Sequence, residues 1–155
     1  MKKSEPNENN KIDIIDDIFS EIEKDIQEDL SFYTNSKDDF GTAVRQIFIK
    51  EKAYRDSTLS RDSLMKRMNI GKSIFIKRFQ YCFDMSFKEC INRLRLKESA
   101  ILLEQSDLSI EEIAEKVGFG TVRTFQRQFM AKYNVPPKEY RLAKYKNSKY
   151  EFKGK

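Results

Sequence analysis

The sequence predicts an all-α protein in which two helix-turn-helix subdomains are joined by a long linker helix, with an extra acidic helix at the N-terminus. Three observations lead there. The chain repeats itself: residues 64–90 and 113–140 align at a spacing of 49 positions that becomes 50 by the end. Leu64-Met65 answers Ile113-Ala114, Met68-Asn69-Ile70 answers Val117-Gly118-Phe119, and Lys88-Glu89-Cys90 answers Lys138-Glu139-Tyr140. Between them Phe75, Phe79 and Phe83, four apart, answer Phe125, Phe129 and Tyr133. Apolar residues also recur at helical steps of three and four through most of the chain. Finally, charge is segregated. Met1–Phe40 hold 5 basic and 12 acidic residues, a net −7, whereas Gly41–Lys155 hold 25 and 13, a net +12. An acidic head on a basic body points to a body that meets a polyanion.

Composition narrows the function classes. A chain of 155 residues, 39% hydrophobic and 35% charged, suits one small helical domain with an appendage. No apolar run approaches the roughly 18 residues of a membrane span, and Met1–Asn10 lacks the apolar stretch of a secretory signal. A cytoplasmic location is therefore expected. Cys82 and Cys90 lie in apolar-periodic stretches without CxxC spacing, so they are expected as small buried hydrophobes rather than as a disulfide. There is no histidine, which removes the commonest general base, the commonest metal ligand and every Ser-His or Cys-His nucleophile. No enzymatic activity, cofactor or metal is expected.

The elements follow in order. Met1–Asn10 reads as a polar tail. Ile15, Ile18, Phe19, Ile22, Ile26 and Leu30 then form one apolar stripe on an acidic helix over Lys11–Leu30. Residues 34–39 are polar and unpatterned, a linker. A second helix is expected from about Phe40 to Lys52, with Ala43, Val44, Ile47 and Phe48 on one face, broken by Asp56-Ser57-Thr58. Ser60 opens a short helix carrying Leu64, Met65 and Met68. Asn69-Ile70-Gly71 supplies the turn, since Asn and Gly tolerate tight-turn conformations. Lys72–Phe83 is the next helix. Ser86 and Glu89 make a capping box, in which hydroxyl and carboxylate satisfy the first free amides, and start a long helix to about Gln105. Ser109 and Glu112 make a second box. Gly118-Phe119-Gly120 is the second turn, Thr121 caps a helix to about Tyr133, and Pro136-Pro137 starts a last helix. The basic stretch from Arg141 reads as a tail. Domain limits are accordingly 1–39, 40–141 and 142–155.

In a helix-turn-helix unit the first helix braces the second, which lies in the DNA major groove. The unit needs a small residue where the helices cross, a turn former, apolar anchors, and polar side chains facing outward. The second copy supplies all four: Ala114, Gly118, Phe125 with Phe129, and the outward Arg123, Gln126 and Arg127. Arginine pairs bidentately with guanine and glutamine with adenine, each good pair contributing roughly 1–3 kcal/mol of discrimination. The first copy has Met65 at the small position and Asn69 at the glycine position. Its outward residues are Ser73, Ile76, Lys77 and Gln80, of which Ile76 can touch a thymine methyl but donates no hydrogen bond. Lys72, Lys77 and Arg78 read as phosphate-facing or solvated. The hydroxyls of Ser60 and Ser109 are caps first, although amides at those helix starts could also hold a phosphate. From Glu89 to Gln105 the long helix spans about 25 Å, a strut able to set two recognition helices roughly one DNA turn, 34 Å, apart.

The residues Ser109-Ile110-Glu111-Glu112-Ile113-Ala114, Gly118-Phe119, Phe125-x3-Phe129 and Pro137-x2-Tyr140-Arg141 resemble the signature of the AraC/XylS family of bacterial transcription regulators. The resemblance covers about Phe40 to Arg141. It implies an all-helical domain of two helix-turn-helix units, with base-reading positions near Ser73, Ile76 and Lys77, then Val122, Arg123 and Gln126. Val122 departs from the polar residue often found there. Ser86-Phe87-x3-Ile91-Asn92-x2-Arg95-Leu96 resembles the form common in Bacteroidetes regulators. Many members carry a β-rich ligand-binding domain. The first forty residues cannot build one, so no effector pocket is expected within this chain.

Together these expectations describe a sequence-specific regulator of transcription that binds double-stranded DNA in two adjacent major grooves. Its recognition residues are Lys72, Ser73, Ile76, Lys77 and Gln80, then Thr121, Val122, Arg123, Gln126 and Arg127, with Ser60 and Ser109 as phosphate contacts. RNA polymerase is the expected protein partner, activation is favoured by analogy with the family, and a homodimer through the Lys11–Leu30 helix is one use of its stripe. The rival is a helical adaptor that binds proteins on the same scaffold without DNA.

Overall fold

The computed structural model describes Lys24 and residues 39–144. Apart from Lys24, the acidic helix expected over Lys11–Leu30 lies outside the described residues, as do the polar tail before it and residues 145–155. Every regular element among the described residues is helical. Helix α1, Asp39–Arg45, runs into a π-helical turn, Gln46–Lys50. Together they bury Phe40, Val44, Ile47 and Phe48, close to the predicted face. The end of the helix differs from expectation. The chain leaves it at Lys52, in the left-handed conformation with φ 54°, and enters a 3-10 turn over Ala53–Arg55. That turn buries Tyr54, only 1% exposed. Asp56-Ser57-Thr58 forms a separate turn in which Thr58 donates to Asp56 Oδ1 from its amide (2.9 Å) and its hydroxyl (2.7 Å). Those two bonds hold the Asp56 carboxyl below its ordinary value.

The two repeated units come next. Helices α2, Arg61–Met68, and α3, Lys72–Phe83, form the first. Helix α4, Phe87–Gln105, is the linker. Helices α5, Ile110–Val117, and α6, Val122–Tyr133, form the second, and a last helix, α7, occupies 137–144. All the predicted hydroxyl caps are in place. Ser60 accepts from the Ser63 amide, Ser86 from Glu89, Ser109 from Glu112 and Thr121 from Thr124. In the boxes at Ser86 and Ser109 the glutamate carboxylate accepts the cap residue's own amide in return, at 3.0 and 2.8 Å.

Each short first helix ends in the same way, with a left-handed residue closed by two backbone bonds. In the first unit Asn69 (φ 54°) donates to Lys66 O and Ile70 to Met65 O. Gly118 (φ 102°) donates to Glu115 O and Phe119 to Ala114 O in the second. Gly71 corrects the expectation for the first turn. Its φ of −76° is open to any residue, so Asn69 alone makes that turn. Phe75, Phe79, Phe83, Phe125 and Phe129 are fully buried, each 0–1% exposed. Both cysteines are buried, as expected, and burial pushes the Cys90 thiol up to about 12.

What fixes one unit against the other is the turn at 53–56. Arg55 forks onto Glu98 of α4, Nη2 to Oε1 at 2.6 Å and Nε to Oε2 at 3.1 Å. Glu98 is fully buried. One turn earlier on α4, Arg95 donates to the carbonyls of Tyr54 (2.7 Å) and Asp56 (3.0 Å) and lies 5.8 Å from the Phe119 ring centre. Burial, then the Glu98 charge, drives the Tyr54 phenol far above its ordinary value. The same turn abuts the second unit. A Cβ on Gly118 would stand 2.5 Å from Tyr54 O and 2.7 Å from the Arg55 carbonyl carbon. At the far end of α4, Arg141 donates to Leu103 O and Ser106 O at 3.1 and 3.2 Å, and the Tyr140 hydroxyl donates to Glu104 at 2.6 Å.

Removing one member of a buried ion pair strands its partner and costs about 3–5 kcal/mol. Glu98→Ala is expected to lower unfolding free energy by about that amount in chemical denaturation. Gly118→Ala should also cost at least about 1–3 kcal/mol, because it combines a strained φ with a backbone clash. Wild-type stability in both variants would contradict the docking role of this turn.

Candidate nucleic-acid interface

The candidate site is the pair of outward faces on α3 and α6. Burial of the phenylalanine stripe dictates which residues those are. With Phe75 and Phe79 inside, the intervening positions of α3 turn to solvent: Lys72, Ser73, Lys77 and Gln80 are exposed, and Ile76 is 44% exposed although apolar. With Phe125 and Phe129 inside, Arg123, Gln126 and Arg127 are exposed on α6. No side chain of Lys72, Lys77, Gln80, Arg123, Gln126 or Arg127 makes a hydrogen bond or ion pair to another described residue. Each face therefore offers donors that no intramolecular bond has claimed.

The remaining predicted residues sit differently. Val122 is half-buried and packs against the core, so it presents part of an aliphatic side chain at the start of α6. Thr121 is exposed, but its hydroxyl accepts from the Thr124 amide at 3.1 Å and donates to the Thr124 hydroxyl at 2.9 Å. Its side chain works first as a cap. Ser60 and Ser109 are likewise exposed and engaged as caps.

Two features of this surface escaped the sequence reading. Exposed Ile74 and Tyr81 stand on α3 beside the predicted recognition positions, 53% and 66% exposed. In addition, the start of α4 lines two depressions. One, about 390 Å³, lies between α4 and α6, and the other, about 230 Å³, lies between α4 and α3, with Lys88 on the wall of both. Among the described residues no group of three or more cysteines and carboxylates is placed to hold a metal ion, and no helix is long and apolar enough to cross a membrane.

Two capped helix pairs, each with a buried aromatic stripe and an uncommitted polar face, set on a single linking helix, define a double helix-turn-helix protein. Comparison with known proteins agrees. The profile of a helix-turn-helix domain family matches residues 64–143. The chain belongs to the AraC/XylS family. It is 34% identical over 85 residues to the Msm operon regulatory protein of Streptococcus mutans, covering 55% of this chain and 31% of that regulator. The chain thus spans less than a third of that relative's length. Its fold is similar to the C-terminal domain of the two-component response regulator yesN from Fusobacterium nucleatum, with TM-score 0.63 and 27% identity over 67% of this chain and 99% of that domain. The DNA-binding domain of AdpA, solved in complex with a target DNA, shares the fold at TM-score 0.57 and 23% identity, covering 59% of this chain and 82% of that one.

Replacing a hydroxyl N-cap by alanine typically costs about 1 kcal/mol. Ser109→Ala should lower stability by that order in urea denaturation, since it removes the acceptor for the Glu112 amide at 3.1 Å. An unchanged midpoint would mean that the box contributes nothing and that Ser109 serves another purpose.

Proposed function

We propose that this chain is a sequence-specific, double-stranded DNA-binding regulator of transcription that places α3 and α6 in two adjacent major grooves. The observation that carries the reading is the pairing of two uncommitted polar faces on repeated units whose separation a single helix fixes. Helix α4 has 19 residues, about 28 Å at 1.5 Å per residue, which is close to one turn of DNA. Membership of the AraC/XylS family supports the same reading. The double helix-turn-helix unit is assigned to 40–141, with 1–39 and 142–155 as flanking segments.

Within this reading Arg123 and Gln126 read bases and Arg127 stands beside them. Thr121 and Val122 border that face, Val122 offering methyl groups to a thymine. On α3, Ser73, Ile76 and Gln80 contact base edges while Lys72 and Lys77 meet phosphates. Ser60 and Ser109, at the starts of α2 and α5, face the backbone. The second unit carries more discrimination because arginine and glutamine pair bidentately with bases whereas Ile76 makes apolar contact only. Cytoplasmic action, contact with RNA polymerase and activation of transcription belong to the same proposal, as does pairing of two copies through Lys11–Leu30.

Selection of bound duplexes from a random DNA pool is expected to return a defined site whose affinity falls steeply with salt, as phosphate contacts require. Arg123→Ala and Gln126→Ala should then relax preference at particular base positions, each costing about 1–3 kcal/mol there, while Lys77→Ala weakens all sequences evenly. Equal effects of both kinds of change on every sequence would refute these roles. A pool with no enriched duplex, even at low salt, would favour the protein-binding adaptor instead. For the N-terminal segment, light scattering should show fewer subunits per particle after deletion of Lys11–Leu30. The same number with and without it removes the dimer.

A further inference from the structure

We infer that the depression between the two units, at the start of α4, is a seat for the sugar-phosphate backbone that crosses between the two major grooves, with Lys88 and Asn92 as its principal contacts. The inference rests on the DNA-binding reading above and assigns a third contact region that belongs to neither recognition helix. The larger depression, about 390 Å³, is walled by Lys88, Asn92, Arg95, Thr124, Arg127 and Gln128. Three of those are cations, and no carboxylate lines it. Its floor is apolar, formed by Ile91 and Phe119 with Phe87 and Leu59. An anionic phosphate flanked by largely apolar deoxyribose faces has the matching alternation of chemistry.

The committed and uncommitted groups divide cleanly. Arg95 is held by the Tyr54 and Asp56 carbonyls and Thr124 by Thr121. The side chains of Lys88, Asn92, Arg127 and Gln128 make no hydrogen bond or ion pair to another described residue. Arg95 therefore contributes fixed positive charge, and the other four contribute free donors. Position matters as much as charge. Lys88 also walls the smaller depression, where Ile76 and Gln80 of the α3 recognition face stand opposite. Arg127, on the α6 recognition face, walls the larger one. A continuous strip thus runs from Gln80 past Lys88 and Asn92 to Arg127, joining the two recognition faces. A duplex engaged on both faces must carry its backbone over that strip.

The test uses the full chain and a duplex selected from the random pool. Loss of one phosphate contact removes about 0.9 from the slope of log affinity against log salt and weakens binding about fivefold near physiological salt. Lys88→Ala is expected to show both effects, equally for selected and scrambled bases, and Asn92→Ala a smaller weakening without change of slope. Lys88→Ala does not threaten the fold, because Lys88 is exposed and its positive charge is unfavourable in the first turn of a helix, and the denaturation midpoint of Asn92→Ala, whose side chain is half-buried, is measured beside its affinity. A single neutral methylphosphonate scanned along each strand should weaken the wild type several-fold at a position between the two contacted grooves, and leave Lys88→Ala unaffected at that position. If both variants keep wild-type affinity and slope on a duplex the wild type does select, this inference falls alone. If the wild type selects no duplex, the DNA-binding reading falls and takes the inference with it.

Discussion

The structure depends on one buried contact, the fork of Arg55 onto Glu98. A carboxylate with no solvent exposure is tolerable only when its charge is matched and its oxygens are bonded. Here both oxygens are bonded, at 2.6 and 3.1 Å. The consequence is geometric. Arg55 belongs to the turn that leads into the first unit, Glu98 lies in the middle of the linker helix, and the backbone of the same turn rests on Gly118 of the second unit. Arg95 adds two bonds to carbonyls of that turn, at Asp56 O beside the backbone bond it accepts from Leu59. Three elements far apart in sequence are thereby held in one arrangement, and the two recognition faces inherit their relative position from it.

The backbone of the same turn accounts for one difference between the two copies. Both units need a left-handed residue after the first helix, and asparagine meets that need in one and glycine in the other. Only the second has a neighbouring backbone within 2.5 Å of where a Cβ would be. Asn69 serves where the conformation is the sole demand, while Gly118 is fixed by conformation and contact together. The sequence places Asn69 where the second copy has its glycine. In the fold it closes the helix with the same pair of backbone bonds, so the first unit is a complete member of the pair.

Local signals were legible because their physics is local. A hydroxyl followed three residues later by a carboxylate fixes a helix start, and the starts of α4 and α5 fall at Ser86 and Ser109 as read. The four-residue phenylalanine spacing fixed which faces of α3 and α6 are inward, and hence which residues of the candidate site are outward. What escaped is non-local or depends on burial. Arg55 meets Glu98 across 43 residues and Arg95 meets the Tyr54 carbonyl across 41, and no periodicity in the sequence marks either pair. The π-helical turn at 46–50 carries Ile47 and Phe48 on the same apolar stripe as a plain helix would, so periodicity does not mark it. The left-handed Lys52 and the buried Tyr54 beyond it are tertiary features. Lys88 and Asn92 were passed over for a related reason. They belong to the linker helix, whose task as a strut hid the surface it shares with its neighbours.

A fixed frame has an energetic consequence for the proposed activity. Two recognition helices on a flexible tether would each find its groove independently, and discrimination would be the sum of two short readings. Held rigidly, they present one spacing and one angle, and a duplex must adopt the curvature that brings both grooves to them. Bending a site of 20–30 base pairs costs on the order of 1–6 kcal/mol and varies with the deformability of the sequence being bent. That cost falls on base pairs which no side chain touches. It enlarges the sequence information available to a protein whose first candidate face offers an isoleucine, Ile76, where its second offers a glutamine, Gln126. On this reading the rigidity built by Arg55, Glu98 and Gly118 is part of the recognition chemistry, because it converts the shape of the duplex into a term in affinity.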